Sequence, residues 1–83
     1  MASQTSLVDV PIGQTVVVTE VGGERSFRRR LMELGLVPGT PVSVGKVAPL
    51  GDPLELSVRG CTLSIRRAEA STILVEPLAQ AAE

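Results

Sequence analysis

The fold of this chain is indicated most clearly by the stretch Leu54-Glu-Leu-Ser-Val-Arg-Gly-Cys-Thr-Leu-Ser-Ile65. Apolar and polar residues alternate on both sides of Arg59-Gly60, and this period of two predicts two half-buried β-strands. Glycine supplies the positive φ that a two-residue hairpin turn requires. The stretch therefore predicts a tight hairpin, and its alternation predicts that Cys61 is a small core residue.

Three further strands are predicted around this hairpin. Residues 14–21 and 41–47 are rich in β-branched side chains and follow turns that contain proline and glycine. Residues 72–76 form the last strand, after one helical turn at residues 67–70. Residues 48–53 are expected to form a loop, because two prolines and a glycine prevent regular strand pairing there.

One longer helix is predicted between the first two strands. Phe27, Leu31 and Leu34 recur at helical spacing and form a single apolar stripe. Ser26 is suited to be the N-cap, and Gly35 stands where a left-handed residue would end the helix. We therefore expect a helix that starts near Ser26 and ends before Gly35.

These elements predict a mostly β protein with one helix. Five short strands in so short a chain are most economically closed into a small SH3-like barrel, because closure removes exposed sheet edges. The helix is then inserted between strands 1 and 2. An OB-like barrel is the alternative. We expect a single domain at residues 7–77, with flexible termini at residues 1–6 and 78–83.

Composition argues against several classes of function. The 83 residues contain no histidine, tyrosine or tryptophan, and Phe27 is the single aromatic residue. Without histidine, the Ser–His and Cys–His pairs of nucleophilic enzymes cannot form, so we expect no enzyme. The net charge of −1 does not suggest a general nucleic-acid binder.

Localisation follows from the cysteine content and from hydropathy. A lone cysteine cannot form an internal disulfide, and small secreted domains usually carry several. The first residues lack the pattern of a signal peptide, and no apolar run is long enough to span a membrane. We therefore expect a cytoplasmic protein that does not itself span the membrane.

Two stretches resemble the FeoA family. One is Phe27-Arg-Arg-Arg-Leu-Met-Glu-Leu-Gly-Leu-Val-Pro-Gly-Thr40, which resembles the helix-to-strand signature. The other is Ala48-Pro-Leu-Gly-Asp-Pro-Leu-Glu-Leu-Ser-Val-Arg-Gly60 with Leu63-Ser-Ile-Arg-Arg67, which resembles the loop and hairpin. The resemblance covers roughly residues 7–77. It implies an SH3-like barrel and a role in bacterial ferrous iron uptake.

The resemblance also implies a partner. FeoA proteins are cytosolic accessory factors of FeoB, a membrane transporter with a G-protein domain, so the expected contact is that domain or the transporter core. No cofactor is expected to be required. The sequence does not determine the oligomeric state, and a weak homodimer is one of the alternatives. The alternative function is a nucleic-acid-binding small barrel that uses the arginine cluster at residues 25–30.

The partner surface is predicted from exposed apolar residues. Leu50 lies in the loop at residues 48–53, and loops held by a rigid barrel are common binding elements. Leu36 and Val37 follow the helix and are expected to form an apolar cleft with Leu50. The sequence allows a second interpretation equally well: Leu50 folds back and plugs one end of the barrel.

The arginine cluster is a second candidate contact. Arg25, Arg28, Arg29 and Arg30 form the only basic run, and Arg29 and Arg30 stand at helical spacing from Glu33. Such cations near a helix N-terminus are mildly opposed by the helix dipole. We expect Arg28 and Arg29 to meet a partner, whether an acidic protein surface, membrane head groups or nucleic acid.

Metal binding is expected to be weak at most. A specific transition-metal site needs histidine or several cysteines, and the chain has neither. The surface candidates are two carboxylate pairs, Asp52 with Glu55 and Glu20 with Glu24. Either pair would hold a divalent ion loosely at the surface, where a neighbouring molecule would complete the shell.

Overall fold

Six strands form one antiparallel sheet in a computed structural model that describes residues 5–78. The sheet order is β1-β6-β2-β3-β4-β5. The predicted mostly β architecture is confirmed. The strands are β1 (Thr5–Ser6), β2 (Thr15–Val21), β3 (Pro41–Val47), β4 (Leu54–Val58), β5 (Cys61–Ile65) and β6 (Ile73–Pro77).

The sixth strand comes from the N-terminal segment. Thr5 pairs with Val75 and Ser6 with Leu74, so these two residues belong to the sheet and not to the flexible terminus that the sequence predicts. Residues 1–4 and 79–83 lie outside the described residues. Strand pairing within residues 5–78 runs from β1 to β5 without joining these two edges, so hydrogen bonds do not complete the predicted closure. Register shifts in β2 and β3 mark bulges that bend the sheet.

The main helix, α1 (Arg25–Glu33), lies between β2 and β3 as predicted, and a single turn, α2 (Arg67–Ala70), precedes β6. Glu24, not Ser26, is the N-cap residue of α1, and its side chain makes no capping hydrogen bond. The prediction of Ser26 is wrong because the chain turns out of β2 at Gly23, where φ is +90°, and the helix begins directly after that turn.

The end of α1 is a Schellman motif. Gly35 has φ +93° and donates to the Met32 carbonyl over 3.1 Å, and Leu36 N–H donates to the Leu31 carbonyl over 2.9 Å. Leu31 and Leu36 both enter the core, whereas Leu34 is 51% exposed. The predicted stripe is therefore wrong at Leu34, because the left-handed turn redirects the chain and brings in Leu36 instead.

The predicted hairpin between β4 and β5 is confirmed. Arg59 and Gly60 both have positive φ, and Val58 pairs with Cys61 across the two-residue turn. Cys61 is exposed, so its assignment to the core is wrong. β5 is an edge strand, and only its far end, at Ile65, is buried by the rest of the domain.

The core lies on the inner face of the curved sheet and is almost entirely aliphatic. Leu31 of α1 and Leu7 of the 3₁₀ turn at Leu7–Asp9 are fully buried in it. The sheet contributes alternate residues of its strands, as half-buried strands do. These include Val16, Val18, Val42, Val44, Leu54, Leu56, Ile73 and Val75.

Candidate functional site

An open groove lies between α1 and β2 and is called the helix groove here. Its volume is about 690 Å³, within the range of ordinary ligand pockets. The end of β2 forms one wall, α1 forms the other, and the connection after the helix closes one end. Its lining residues are Thr19, Glu20, Val21, Arg25, Arg28, Arg29, Met32, Leu36, Val37 and Pro38.

The floor of the helix groove is apolar. Met32 projects from α1 with 63% of its surface exposed, beside the partly buried Val37 and the exposed Pro38. Leu36 contributes to the lining but is only 1% exposed, so its predicted role as a surface contact is wrong. The Schellman motif points Leu36 into the core and leaves Val37 to face the groove. The structure thus places one of these two predicted contacts in an accessible position.

Met32 is a groove residue that the sequence prediction missed. It lies four residues after Arg28 and three after Arg29, so a helical projection places the three side chains on one face of α1. The apolar stripe through Leu31 accounts for the helix without Met32, so only this shared face with the arginines marks Met32 as a groove residue.

The wall formed by α1 is basic. Arg25, Arg28 and Arg29 line the helix groove, and within residues 5–78 none of them forms an ion pair. Arg25 lies three residues before Arg28 and four before Arg29, so it neighbours both on the helix surface, where like charges repel by roughly a few tenths of a kcal/mol per pair. The first turn of α1 contains no acidic side chain, and Glu24 at the N-cap is the carboxylate that stands at this positive end of the helix dipole.

Arg30 stands apart from the other three arginines. Its guanidinium lies 3.5 Å from the Glu69 carboxylate of α2 and 5.8 Å from the centre of the Phe27 ring. The predicted pairing of Arg29 and Arg30 with Glu33 is wrong, since Arg30–Glu69 is the one ion pair found among residues 5–78. The tertiary structure places the Glu69 carboxylate of α2 within reach of Arg30.

Leu50 forms a separate apolar feature. Gly51 N–H donates to the Ala48 carbonyl over 2.7 Å, which closes a β-turn with Pro49 and Leu50 at its centre. The Leu50 side chain is 96% exposed, so it does not plug an end of the barrel. It is also not part of the helix-groove lining. The predicted cleft of Leu50 with Leu36 and Val37 is therefore not formed.

Thr40 holds the connection between α1 and β3 in place, a role that the sequence prediction did not assign. Its hydroxyl donates to the Gly35 carbonyl over 3.1 Å and accepts from Val37 N–H over 3.3 Å. Its carbonyl accepts from Val18 N–H over 3.0 Å. Thr40 is the buried polar residue of the core region, and these bonds fix the end of the helix groove against β2.

The four predicted metal candidates lie in four different structural settings. The Asp52 carboxylate accepts from Arg67 N–H over 3.0 Å, which satisfies a free donor at the start of α2. Glu55 pairs across the strands with Lys46, Glu20 lines the helix groove, and Glu24 is the N-cap residue of α1. Residues 5–78 contain no group of three or more potential ligands. A weak surface site and the absence of a required cofactor stay predictions.

A curved antiparallel sheet with one inserted helix defines a small SH3-like domain. The family model of the FeoA domain matches residues 5–77. The chain therefore belongs to the FeoA family, as the resemblance of its motifs predicted. It also resembles FeoA from Chlorobium tepidum, at 44% identity and a TM-score of 0.86, over 89% of this chain and 70% of that one.

Two further relatives bear on function. FeoA from Stenotrophomonas maltophilia, described as an SH3 domain protein and solved with zinc, is 30% identical with a TM-score of 0.76, over 87% of this chain and 89% of that one. A fusion protein of Fe(2+) transport protein A and the Fe(2+) transporter FeoB from Porphyromonas gingivalis is 36% identical over 70 residues. That match covers 84% of this chain and only 8% of the fusion protein.

The helices of the described part of the chain are short. Within residues 5–78 no helix combines the length and the apolar character that crossing a membrane requires.

Proposed function

We propose that this chain is a non-enzymatic, cytoplasmic accessory module of bacterial ferrous iron uptake that binds the FeoB transporter. The observation that carries the proposal is the Porphyromonas gingivalis relative, in which a matching segment and FeoB form one polypeptide. The Stenotrophomonas maltophilia relative is described as a candidate activating factor of ferrous iron transport, which agrees with an accessory role.

The fusion has a direct physical implication. Two domains on one polypeptide meet at a high effective concentration, so even a weak contact between them is occupied. A chain that is not covalently joined to its partner lacks this advantage. It needs a surface that supplies enough binding free energy by itself.

The exposed apolar features of the chain can supply such a surface. Leu50 is held at the tip of a hydrogen-bonded turn, so little backbone conformational freedom is lost when its side chain enters a partner's pocket. An apolar side chain of this size that is exposed in the free protein gains roughly 2 kcal/mol when it is buried. We therefore assign Leu50 to the contact with FeoB.

The test is binding of the chain to purified, detergent-solubilised FeoB from the same organism, measured by biolayer interferometry. We expect Leu50→Glu to weaken binding about tenfold or more, because burial of a carboxylate opposes docking. Ile12→Glu is the matched control, since Ile12 is 62% exposed and belongs neither to the loop at residues 48–53 nor to the lining of the helix groove. Far-UV circular dichroism should be the same for both variants.

Each result has a defined meaning. Loss of binding by Leu50→Glu together with normal binding by Ile12→Glu supports the assignment. Equal binding of both variants contradicts the role of Leu50, while failure of the wild-type chain to bind FeoB contradicts the proposed function itself.

A further inference from the structure

The helix groove combines an apolar floor with three arginines that have no partner within residues 5–78. We propose that it docks a short acidic segment of a partner protein, in which an apolar side chain is flanked by carboxylates. The inference deepens the proposed function and rests on it only for the identity of the partner.

The floor determines where the apolar side chain goes. Met32 is 63% exposed although it directly follows the fully buried Leu31, and it lines the groove together with Val37 and Pro38. The unbranched, polarisable methionine side chain adapts to the shape of an incoming group. A leucine or similar residue that enters between Met32 and Val37 would cover this exposed apolar surface.

The charge pattern determines what flanks that side chain. Arg25, Arg28 and Arg29 stand close together on one wall of the groove of a protein with a net charge of −1. Arg30, the fourth arginine of the helix, is already paired with Glu69. The three free guanidiniums repel one another and oppose the helix dipole, and carboxylates of a partner would relieve both effects.

Glu20, on the wall opposite α1, determines the orientation of the bound segment. Glu20 of β2 faces the groove across from the arginines. Carboxylates of the bound segment must therefore lie on the α1 side, with neutral or basic residues toward Glu20. A segment that is acidic on all sides would be repelled by Glu20.

The same features favour a peptide over a nucleic acid. Single-stranded nucleic acids bind to basic surfaces that also offer aromatic rings for stacking. Phe27 is the single aromatic residue of the chain, and it is partly buried beneath Arg30. A groove with an aliphatic floor and a glutamate on one wall suits an amphipathic peptide better than a chain of phosphates.

The first experiment uses a fluorescent amphipathic peptide with leucines on one face and glutamates on the other. Fluorescence anisotropy is measured with the full chain, at low and high salt. We expect the glutamate peptide to bind, more weakly at high salt, and a lysine version of the same peptide not to bind. A short single-stranded RNA that binds at least as tightly as the glutamate peptide would overturn the proposal.

Two matched pairs of variants locate the peptide. Arg28→Glu should weaken its binding roughly tenfold, whereas Arg67→Glu, an equal charge change on exposed α2, should leave the dissociation constant within about twofold. Met32→Glu should likewise weaken binding, whereas Ile12→Glu should not, although Met32 and Ile12 are 63% and 62% exposed. Equal effects within either pair would overturn the helix groove as the binding site.

The second experiment separates this inference from the proposed function. The Arg28→Glu and Met32→Glu variants are measured against solubilised FeoB beside the wild-type chain. Weakened binding of both supports the groove as the docking site. If the wild-type chain binds FeoB and both variants bind equally well, the groove proposal fails and the proposed function stands. If the glutamate peptide binds but FeoB does not, the proposed function fails and the groove stands.

Discussion

The two glycine- and proline-containing connections that flank β3 place one leucine each, Leu36 and Leu50, in opposite environments. In the helix-to-strand connection, residues 34–40, Leu36 is 1% exposed; in the loop at residues 48–53, Leu50 is 96% exposed. Both leucines are next to a glycine with positive φ, Gly35 in the first case and Gly51 in the second. Local composition alone therefore does not decide which leucine joins the core.

The difference lies in where the backbone hydrogen bonds of each connection go. Leu36 N–H donates back to the Leu31 carbonyl, and Thr40 ties the segment to Gly35 and to β2. In the loop at residues 48–53 the backbone bonds run within the loop, from Gly51 to Ala48 and from Ala48 to Pro53, while the Asp52 side chain accepts from Arg67 N–H. The first connection is held down on the core at Leu36, whereas the second is a turn that projects Leu50 into solvent.

Among substitutions in the two connections, Leu36→Ala should cause the largest loss of stability. Removing a fully buried leucine side chain leaves a cavity and loses the transfer free energy, so we expect a loss of about 3 kcal/mol in the free energy of unfolding. Urea denaturation followed by circular dichroism measures it. A loss below about 1 kcal/mol would show that Leu36 is not part of the rigid core.

Gly35→Ala and Gly51→Ala should cause the next largest losses of stability, and the two losses should be similar. Each places a side chain at a φ near +90°, which costs about 1 to 2 kcal/mol. A new Cβ would lie 3.9 Å from Arg59 at position 35 and would meet nothing within 4 Å at position 51. Since neither clashes, unequal urea midpoints would mean that more than the backbone dihedral differs between the two connections.

Thr40→Val should have a smaller effect. The substitution keeps the shape of the side chain but removes the hydroxyl that bonds Gly35 and Val37, and Val37 N–H retains a bond to the Gly35 carbonyl. We expect a loss of about 1 kcal/mol. Amide hydrogen exchange should also be faster at Val37, with Val44 as an internal reference, and unchanged exchange at both would contradict the anchoring role.

Leu50→Ala should have the smallest effect on stability. The side chain is almost fully exposed in the free protein, so we expect a change within about 0.5 kcal/mol. The same urea experiment checks this against Leu36→Ala. A loss comparable to that of Leu36→Ala would show that Leu50 packs against the domain.

Much of the fold could be predicted from the sequence because its signals are local. The predicted bounds of β3, β4, β5 and α2 agree with the structure, since alternation and the Arg59-Gly60 turn are properties of neighbouring residues. Errors occurred where distant segments meet. The exposure of Cys61 depends on which strand is at the edge, and the partner of Arg30 depends on how α2 packs against α1.

The candidate site could be predicted only in part. The sequence indicated Val37, Leu50 and the arginines as surface residues, and all are accessible to some degree. The sequence could not indicate which of these residues share one site, because the helix groove forms only when the end of β2 lies beside α1. In the folded chain, Glu20 lies on the wall opposite α1, and Met32 contributes to the floor of the groove.

The sequence by itself determined the type and order of the elements from β2 to β6, since turn residues and apolar periodicity act over a few positions. The tertiary structure decided which side chains are buried, which edge of the sheet is open and which charges are neutralised. These properties depend on contacts between residues far apart in the chain, such as Thr5 with Val75 and Arg30 with Glu69. The helix groove is a result of such contacts.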